Sequence, residues 1–196
     1  EALTWKVPVS VDTYKPEVMQ AALDLGADVV NDIWALRQPG ALQVVTRHPQ
    51  CGVCLMHMHQ EPLTMLAQPM TGDALPLVKD FLTQQVLKLR HSGVQANRIV
   101  LDPGIGFGKT LEQNLSLLQR QSELLSLGHP LMAGWSRKGT LGKLTAIQGK
   151  APEPKDRVGA SVAAALIAVQ NGASVVRVHD VKETVQALRV WQALKI

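Results

Sequence analysis

"RIVLDPGIGFGKTLEQNLSLLQ", residues 98–119, runs from an apolar stretch through a glycine-rich turn into a helix-forming segment. The apolar stretch is rich in Val, Ile and Leu without strict alternation, the pattern of a strand covered on both faces. Thr110 and Gln113 spell a T-x-x-Q capping box, which predicts a helix from there to about Leu127. One such unit is a strand, a loop and a helix.

The same order recurs along the chain. Five further apolar runs end in polar residues: "VPVSVDT" (7–13), "ADVVNDI" (27–33), "GVCLMHMH" (52–59), "HPLMAGWSRK" (129–138) and "ASVVRVHD" (173–180). The segments between them have helical signals. "KPEVMQAALDLG" has Pro16 in its first turn and Gly26 at its end, and "DALPLVKDFLTQQVLKLRHSG" closes on Gly93, the asymmetry expected of helix starts and stops. "DRVGASVAAALIAVQNG" is small and apolar on one side and reads as a close-packed core helix. "KETVQALRVWQAL" places Val185, Leu188 and Trp191 near one face with the preceding Val181. "QGKAPEPKDR" is polar and proline-rich, a surface segment.

Strand alternating with helix means an α/β fold with right-handed crossovers. Two architectures accommodate six βα units, an open doubly wound sheet or part of a barrel. An open sheet gathers function at one switch point, whereas a barrel gathers it from many C-terminal strand ends. Here polar residues follow nearly every run: Asp12, Asn31 with Asp32, His57, Asp102, Ser136–Arg137–Lys138, and Arg177 with His179 and Asp180. That distribution favours a barrel.

The chain has 196 residues, 46% hydrophobic and 18% charged, with net charge +4. These values fit a single domain, residues 1–196, with one sizeable core. The charge is spread out, without the dense Lys/Arg run that tracks a nucleic-acid backbone, so a small anionic substrate is expected and nucleic acid is not. No apolar stretch approaches the ~20 residues that span a bilayer, and the first residues lack a signal-peptide profile. Cys51 and Cys54 form a lone C-x-x-C leading into an apolar run, where ordinary buried thiols are expected rather than a redox pair. So few cysteines suit a reducing, cytoplasmic setting.

The glycine turn is not a nucleotide P-loop. G-x-x-x-x-G-K-[ST] needs a glycine where Pro103 stands, and Asp102 just ahead would repel phosphate. A carboxylate at the rim of a buried strand costs free energy unless something pairs with it. It is suited to accept two parallel hydrogen bonds from an N–H beside an NH₂, the edge offered by guanine or a pterin. Asn31 and Asp12, from neighbouring strand ends, can complete the grip on such a ring. The alternative is that Asp12 and Asn31 cap the helices that follow. Arg177 and His179 together with Lys138 can hold a diphosphate through charge-assisted bonds, and Arg137 is a fourth cation at the same rim, with surface ion pairing as the alternative. His57 and His59 have no evident third partner for zinc, and one of them is expected to be a hydrogen-bonding rim or core residue. Met56 and Met58 read as core filling.

"SVDTYKPEV", "VNDI", "CLMHMH", "LDPGIGFGK", "GWSRKG" and "RVHDVKETVQALR" together resemble, in order and spacing, the successive motifs of the dihydropteroate synthase family. The resemblance runs from about Val9 to Leu194. It implies a (β/α)8 TIM barrel of the pterin-binding type, here with about six βα units. It implies condensation of 6-hydroxymethyl-7,8-dihydropterin diphosphate with 4-aminobenzoate to 7,8-dihydropteroate and diphosphate in folate synthesis. It further implies competition by sulfonamides, a Mg2+ cofactor and a homodimer through the late helices. By motif, Asp102 grips the pterin 2-amino edge, Asn31 and Asp12 contact the ring, and Lys138 reaches its carbonyl side. Ile33, Met56 and Phe107 wall the pocket, Arg177 lies against the pterin and with His179 holds the diphosphate, and Ser136 lies near the aminobenzoate. Asp12, Asp102, Lys138 and Arg177 would act in catalysis.

One departure stands out. The sequence starts at what should be the family's third strand, without its "N-V-T-P-D-S-F-S-D" and "G-G-E-S-T-R-P" segments, which carry the metal-contacting Asn. The residues present are therefore expected to supply no metal ligand, two sheet edges are expected to be open, and the chain as given is expected to be weakly active or inactive. Two other readings stand beside the enzyme: a non-catalytic pterin-binding module, and a methyltetrahydrofolate-binding methyltransferase domain. The cations of "SRK" and "RVHD" disfavour the latter, whose ligand has no diphosphate.

Overall fold

A computed structural model of the chain describes residues 7–60 and 70–194. Six parallel strands lie in the order of the sequence: β1 (Ser10–Asp12), β2 (Val29–Asp32), β3 (Gly52–Met56), β4 (Ile99–Asp102), β5 (Leu131–Ala133) and β6 (Ala173–Val176). All six expected strands are present. Helices α1 (Pro16–Asp24), α2 (Ala41–Arg47), α3 (Ala74–His91) and α4 (Leu111–Gln119) follow the first four strands. α5 (Gly139–Leu144) and α6 (Val158–Gln170) lie between β5 and β6, and α7 (Val181–Ala193) follows β6. The curled sheet with its surrounding helices is the larger part of a TIM barrel.

Burial follows position in the sheet. The inner strands β2 to β5 are almost wholly buried, whereas β1 and β6 at the ends of the order are largely exposed. Among the described residues neither outer strand has a partner beyond it. Trp135, Leu55, Leu82, Leu101 and Leu117 are among the large side chains fully enclosed in the core. Cys51 and Cys54 are free thiols in that core, as expected, and Met56 and Met58 are buried too. No helix among the described residues is long and apolar enough to cross a membrane.

Local signals set the helix starts. Asp73 accepts from Leu75 N at 3.1 Å ahead of α3. The Thr110–Gln113 capping box is complete, with bonds of 3.2 and 2.9 Å, and such a cap contributes about 1 kcal/mol. Gln113 Nε2 also donates to Met70 O and Gly72 O, both at 2.9 Å, tying α4 to the approach to α3.

Two expectations need correction. The helix after Thr110 does not continue to Leu127. It ends at Gln119 and the chain tightens into a 3-10 turn over Gln121–Leu127. There the buried Gln121 side chain donates to Ala168 O at 2.8 Å, a contact with α6 that a straight helix need not make. α6 itself buries only one stripe, Ser161, Ala164, Ala165 and Ala168, and Ile167 faces outward. In α7 only Thr184 is buried, while Val181 and Val185 are exposed. The segment 148–157 lies at the surface, as expected.

Candidate active site

The parallel order brings every strand's C-terminal end to one rim. Register places Asp12 beside Asn31 and Met56 beside Asp102. Asn31 Nδ2 donates to Asp12 Oδ2 at 3.1 Å. Its Oδ1 is buried and takes no hydrogen bond within the described residues. A buried amide oxygen without a donor costs on the order of 1–3 kcal/mol, so this oxygen suits a ligand N–H. With that oxygen unbonded, Asn31 does not cap a helix, since a cap accepts through it.

Asp102 is 4% exposed. Its Oδ1 accepts from Gly104 N at 2.7 Å, and among the described residues no donor reaches Oδ2. Burial pushes its carboxyl above the usual carboxylate range. Lys138 opposes that most, then the Gly104 N–H, Arg177 and Lys109. The carboxylate is thus poised for a cationic or doubly N–H-bearing partner.

The glycines of this loop have steric reasons. A Cβ on Gly104 would stand 1.8 Å from His57 O, and φ there is +69°. A Cβ on Gly106 would press on the Lys138 stem at 3.3 Å. Lys138 crosses the loop, donates to Ile105 O and sets its ammonium 4.5 Å from the Phe107 ring centroid. Burial lowers its pKa to about 8, with Asp102 resisting. A cleft of about 420 Å³ opens here, lined by Phe107, Lys109, Asn114 and Lys138 among others. A second hollow, of about 330 Å³, lies near Cys51 at the opposite ends of the strands and shares no residue with the site.

The cations after β5 and β6 do not all converge. Arg177 and His179 lie past the end of β6, not on it. Arg177 packs beside Gly134 and reaches Asp12 at 3.8 Å. His179 Nδ1 lies 2.9 Å from Ser136 Oγ, which also accepts from His179 N at 3.1 Å. Arg137 takes a left-handed backbone, φ 60°, and pairs through two nitrogens with Asp180. It is neutralised there, so ion pairing was the right reading for this one cation. Ile33 is half-buried at the end of β2.

Three further residues shape this rim, of which pattern reading left out only Lys109. Lys109, 8% exposed, donates to Gly104 O, His57 Nδ1 and Phe107 O at 2.8, 2.9 and 3.2 Å. His57 is buried edge-on to Phe81, which fits the expected hydrogen-bonding histidine. Asp32 is fully buried and accepts from Trp34 N and Leu36 N at 2.7 and 2.8 Å. It holds a turn in which Ala35 and Leu36 both have positive φ. The signal for Asp32 was its place beside Asn31. Lys109 offered only the "GK" that the failed P-loop reading had set aside.

Comparison with known proteins agrees with this geometry. The model of the family described as pterin binding enzyme matches residues 1–179. Dihydropteroate synthase of Neisseria meningitidis serogroup B is 44% identical over 100% of this chain, which spans 69% of that relative's length. The solved dihydropteroate synthase of Xanthomonas albilineans in complex with 7,8-dihydropteroate superposes with a TM-score of 0.88 and 44% identity, covering 96% of this chain and 69% of that one. The Yersinia pestis dihydropteroate synthase with a sulfonamide drug complex gives 0.91 and 39%, over 97% and 67%. With the barrel fold and strand-end carboxylates already in place, these matches assign the chain to the pterin binding enzymes, and within them to the dihydropteroate synthase family.

Proposed function

We propose that this rim joins 6-hydroxymethyl-7,8-dihydropterin diphosphate to 4-aminobenzoate. The observation that carries the reading is Asp102: a buried carboxylate whose Oδ2 takes no donor among the described residues, at the same strand-end rim as the unbonded Asn31 oxygen. A carboxylate so placed matches the N–H and NH₂ edge of a pterin. Asp102 takes that edge, Asn31 and Asp12 take further ring donors, and Lys138 faces the ring carbonyl. Ile33, Met56 and Phe107 wall the ring. Arg177 lies against it and, with His179, holds the diphosphate. Ser136, bonded to His179, adjoins the aminobenzoate.

The chemistry follows from charge. The methylene C–O bond breaks and its electron pair leaves on the diphosphate. The positive charge left behind spreads into the electron-rich dihydropterin, where Asp102 and Asp12 stabilise it. Arg177 and His179 stabilise the departing anion. The aminobenzoate nitrogen is neutral at pH 7, so its lone pair forms the new C–N bond directly and its proton passes to solvent. Alignment of the two rings supplies much of the remaining acceleration. Among the described residues no three His, Cys, Asp or Glu side chains cluster to hold a metal ion. Sulfonamides, as aminobenzoate mimics, compete at the Ser136 side. A homodimer would cover the exposed valines of α7, Val181 and Val185, with Ile167 of α6.

The test is diphosphate release from the pterin diphosphate with and without 4-aminobenzoate, beside calorimetric titration of the pterin. Release that needs both substrates, and is lost in Asp102→Asn, supports the synthase. Tight pterin binding without release favours a binding module. No pterin binding by the folded chain rejects both.

A further inference from the structure

We propose that Lys109 is a positioning residue that holds the Asp102 carboxylate in place through His57 and the glycine loop. The inference rests on the reading of Asp102 as the group that grips the pterin edge.

Four contacts define the device. Asp102 O accepts from His57 N at 2.9 Å, so the end of β4 is fixed to the residue after β3. Asp102 Oδ1 accepts from Gly104 N, which fixes the carboxylate plane to the loop. Gly104 O and His57 Nδ1 both accept from the Lys109 ammonium. It also donates to Phe107 O. Lys109 therefore closes a ring of bonds running Lys109–His57–Asp102–Gly104 and back. An ammonium has three donors and no acceptor, and here they are shared among four acceptors of the loop and the adjoining strand end, the fourth being His57 O at 3.4 Å.

The pair is arranged for this use. The His57 ring must be neutral to accept from Lys109. Burial, then Lys109, Arg37 and His59, lowers its pKa to about 2, so it stays neutral across the working range. Lys109 is itself lowered to about 7 by burial and the Lys138 charge, with Asp102 resisting. Asp102 faces Lys138, Arg177 and Lys109 from three different loops. Of the three, Lys109 alone belongs to the glycine loop itself, where it is bonded to Gly104 O and Phe107 O.

The test uses the whole chain with Lys109→Met, which keeps most of the stem, and Lys109→Gln, which keeps two donors without charge. Two readouts are taken. One is affinity for 6-hydroxymethylpterin, followed by its fluorescence. The other is the pH midpoint of the Asp102 carboxyl, followed by carbon NMR without ligand. Lys109→Met is expected to weaken pterin binding at least about tenfold, the scale of a lost hydrogen bond to a charged group. Lys109→Gln is expected to recover part of that loss, and both variants are expected to raise the Asp102 midpoint. A folded Lys109→Met with wild-type affinity and an unmoved midpoint overturns the proposal. A raised midpoint in a protein whose wild type binds no pterin keeps the positioning role and removes the pterin reading. Where both variants fail to fold, the wild type carries the test: its Asp102 carbon signal must respond as the Lys109 amino nitrogen titrates, and indifference overturns the proposal.

Discussion

Asp12 Oδ2 and the Arg177 guanidinium stand 3.8 Å apart, although their strands lie at opposite ends of the six-stranded order. Only a sheet curled well round toward closure brings its two outer strand ends into that reach. Both side chains are about half exposed, 51% and 43%, so the pair contributes little to stability. Arg177→Met is expected to shift unfolding by less than about 0.5 kcal/mol. Affinity for the pterin diphosphate is expected to fall more than affinity for the pterin lacking it. Urea melts and calorimetry with both ligands check this, and an equal loss for the two would remove Arg177 from the diphosphate.

Asp102→Asn separates binding from folding. The carboxylate is buried and held above its usual pKa range, so removing its charge relieves desolvation. An amide in its place offers one acceptor and one donor to a ligand edge that has two donors. Pterin affinity is expected to drop ~30- to 100-fold, the equivalent of about 2–3 kcal/mol, while the melting temperature holds or rises. A parallel loss of both would assign Asp102 to the fold instead.

The fold was legible because parallel strands buried on both faces leave unbroken apolar runs, and all six were visible. Asp12, Asn31, Asp102, Lys138 and Arg177 were legible because each follows such a run directly. What escaped depends on tertiary geometry. Nothing local says that Arg137 turns through a positive φ toward Asp180, or that Lys109 folds back under its own loop to His57. Nor does periodicity reveal that Gln121 breaks the register of α4 to reach α6. The α7 pattern showed a shared apolar stripe correctly, but burial of that stripe depends on what else packs there.

Two glycines with the same backbone sign make a controlled pair. Gly104 (φ +69°) and Gly128 (φ +73°) both occupy the left-handed region, but a Cβ meets His57 O at 1.8 Å in the first and nothing within 4 Å in the second. Gly128→Ala is expected to cost about 1 kcal/mol, the conformational term alone. Gly104→Ala adds a backbone clash that moves the loop carrying Asp102, and is expected to cost more than about 3 kcal/mol. Equal melting temperatures in the two variants would mean that the loop is free to shift.

Asp32 gives the fold a pH dependence of known sign. Burial raises its pKa from 3.8 to about 6, against the Trp34 and Leu36 N–H groups and Arg37. The folded state thus holds a proton that the unfolded state releases at lower pH. The stability contributed is full below about 3.8 and is lost as pH rises through about 6, by up to about 3 kcal/mol. Asp32→Asn does not titrate, and its amide can accept only one of the two N–H groups, which costs ~1–3 kcal/mol. The gap between wild type and variant is therefore expected to be widest near pH 4 and to narrow toward pH 7. Urea midpoints at four pH values across that interval read the gap directly. A constant gap would mean that Asp32 is ionised throughout, with its two N–H partners outweighing burial.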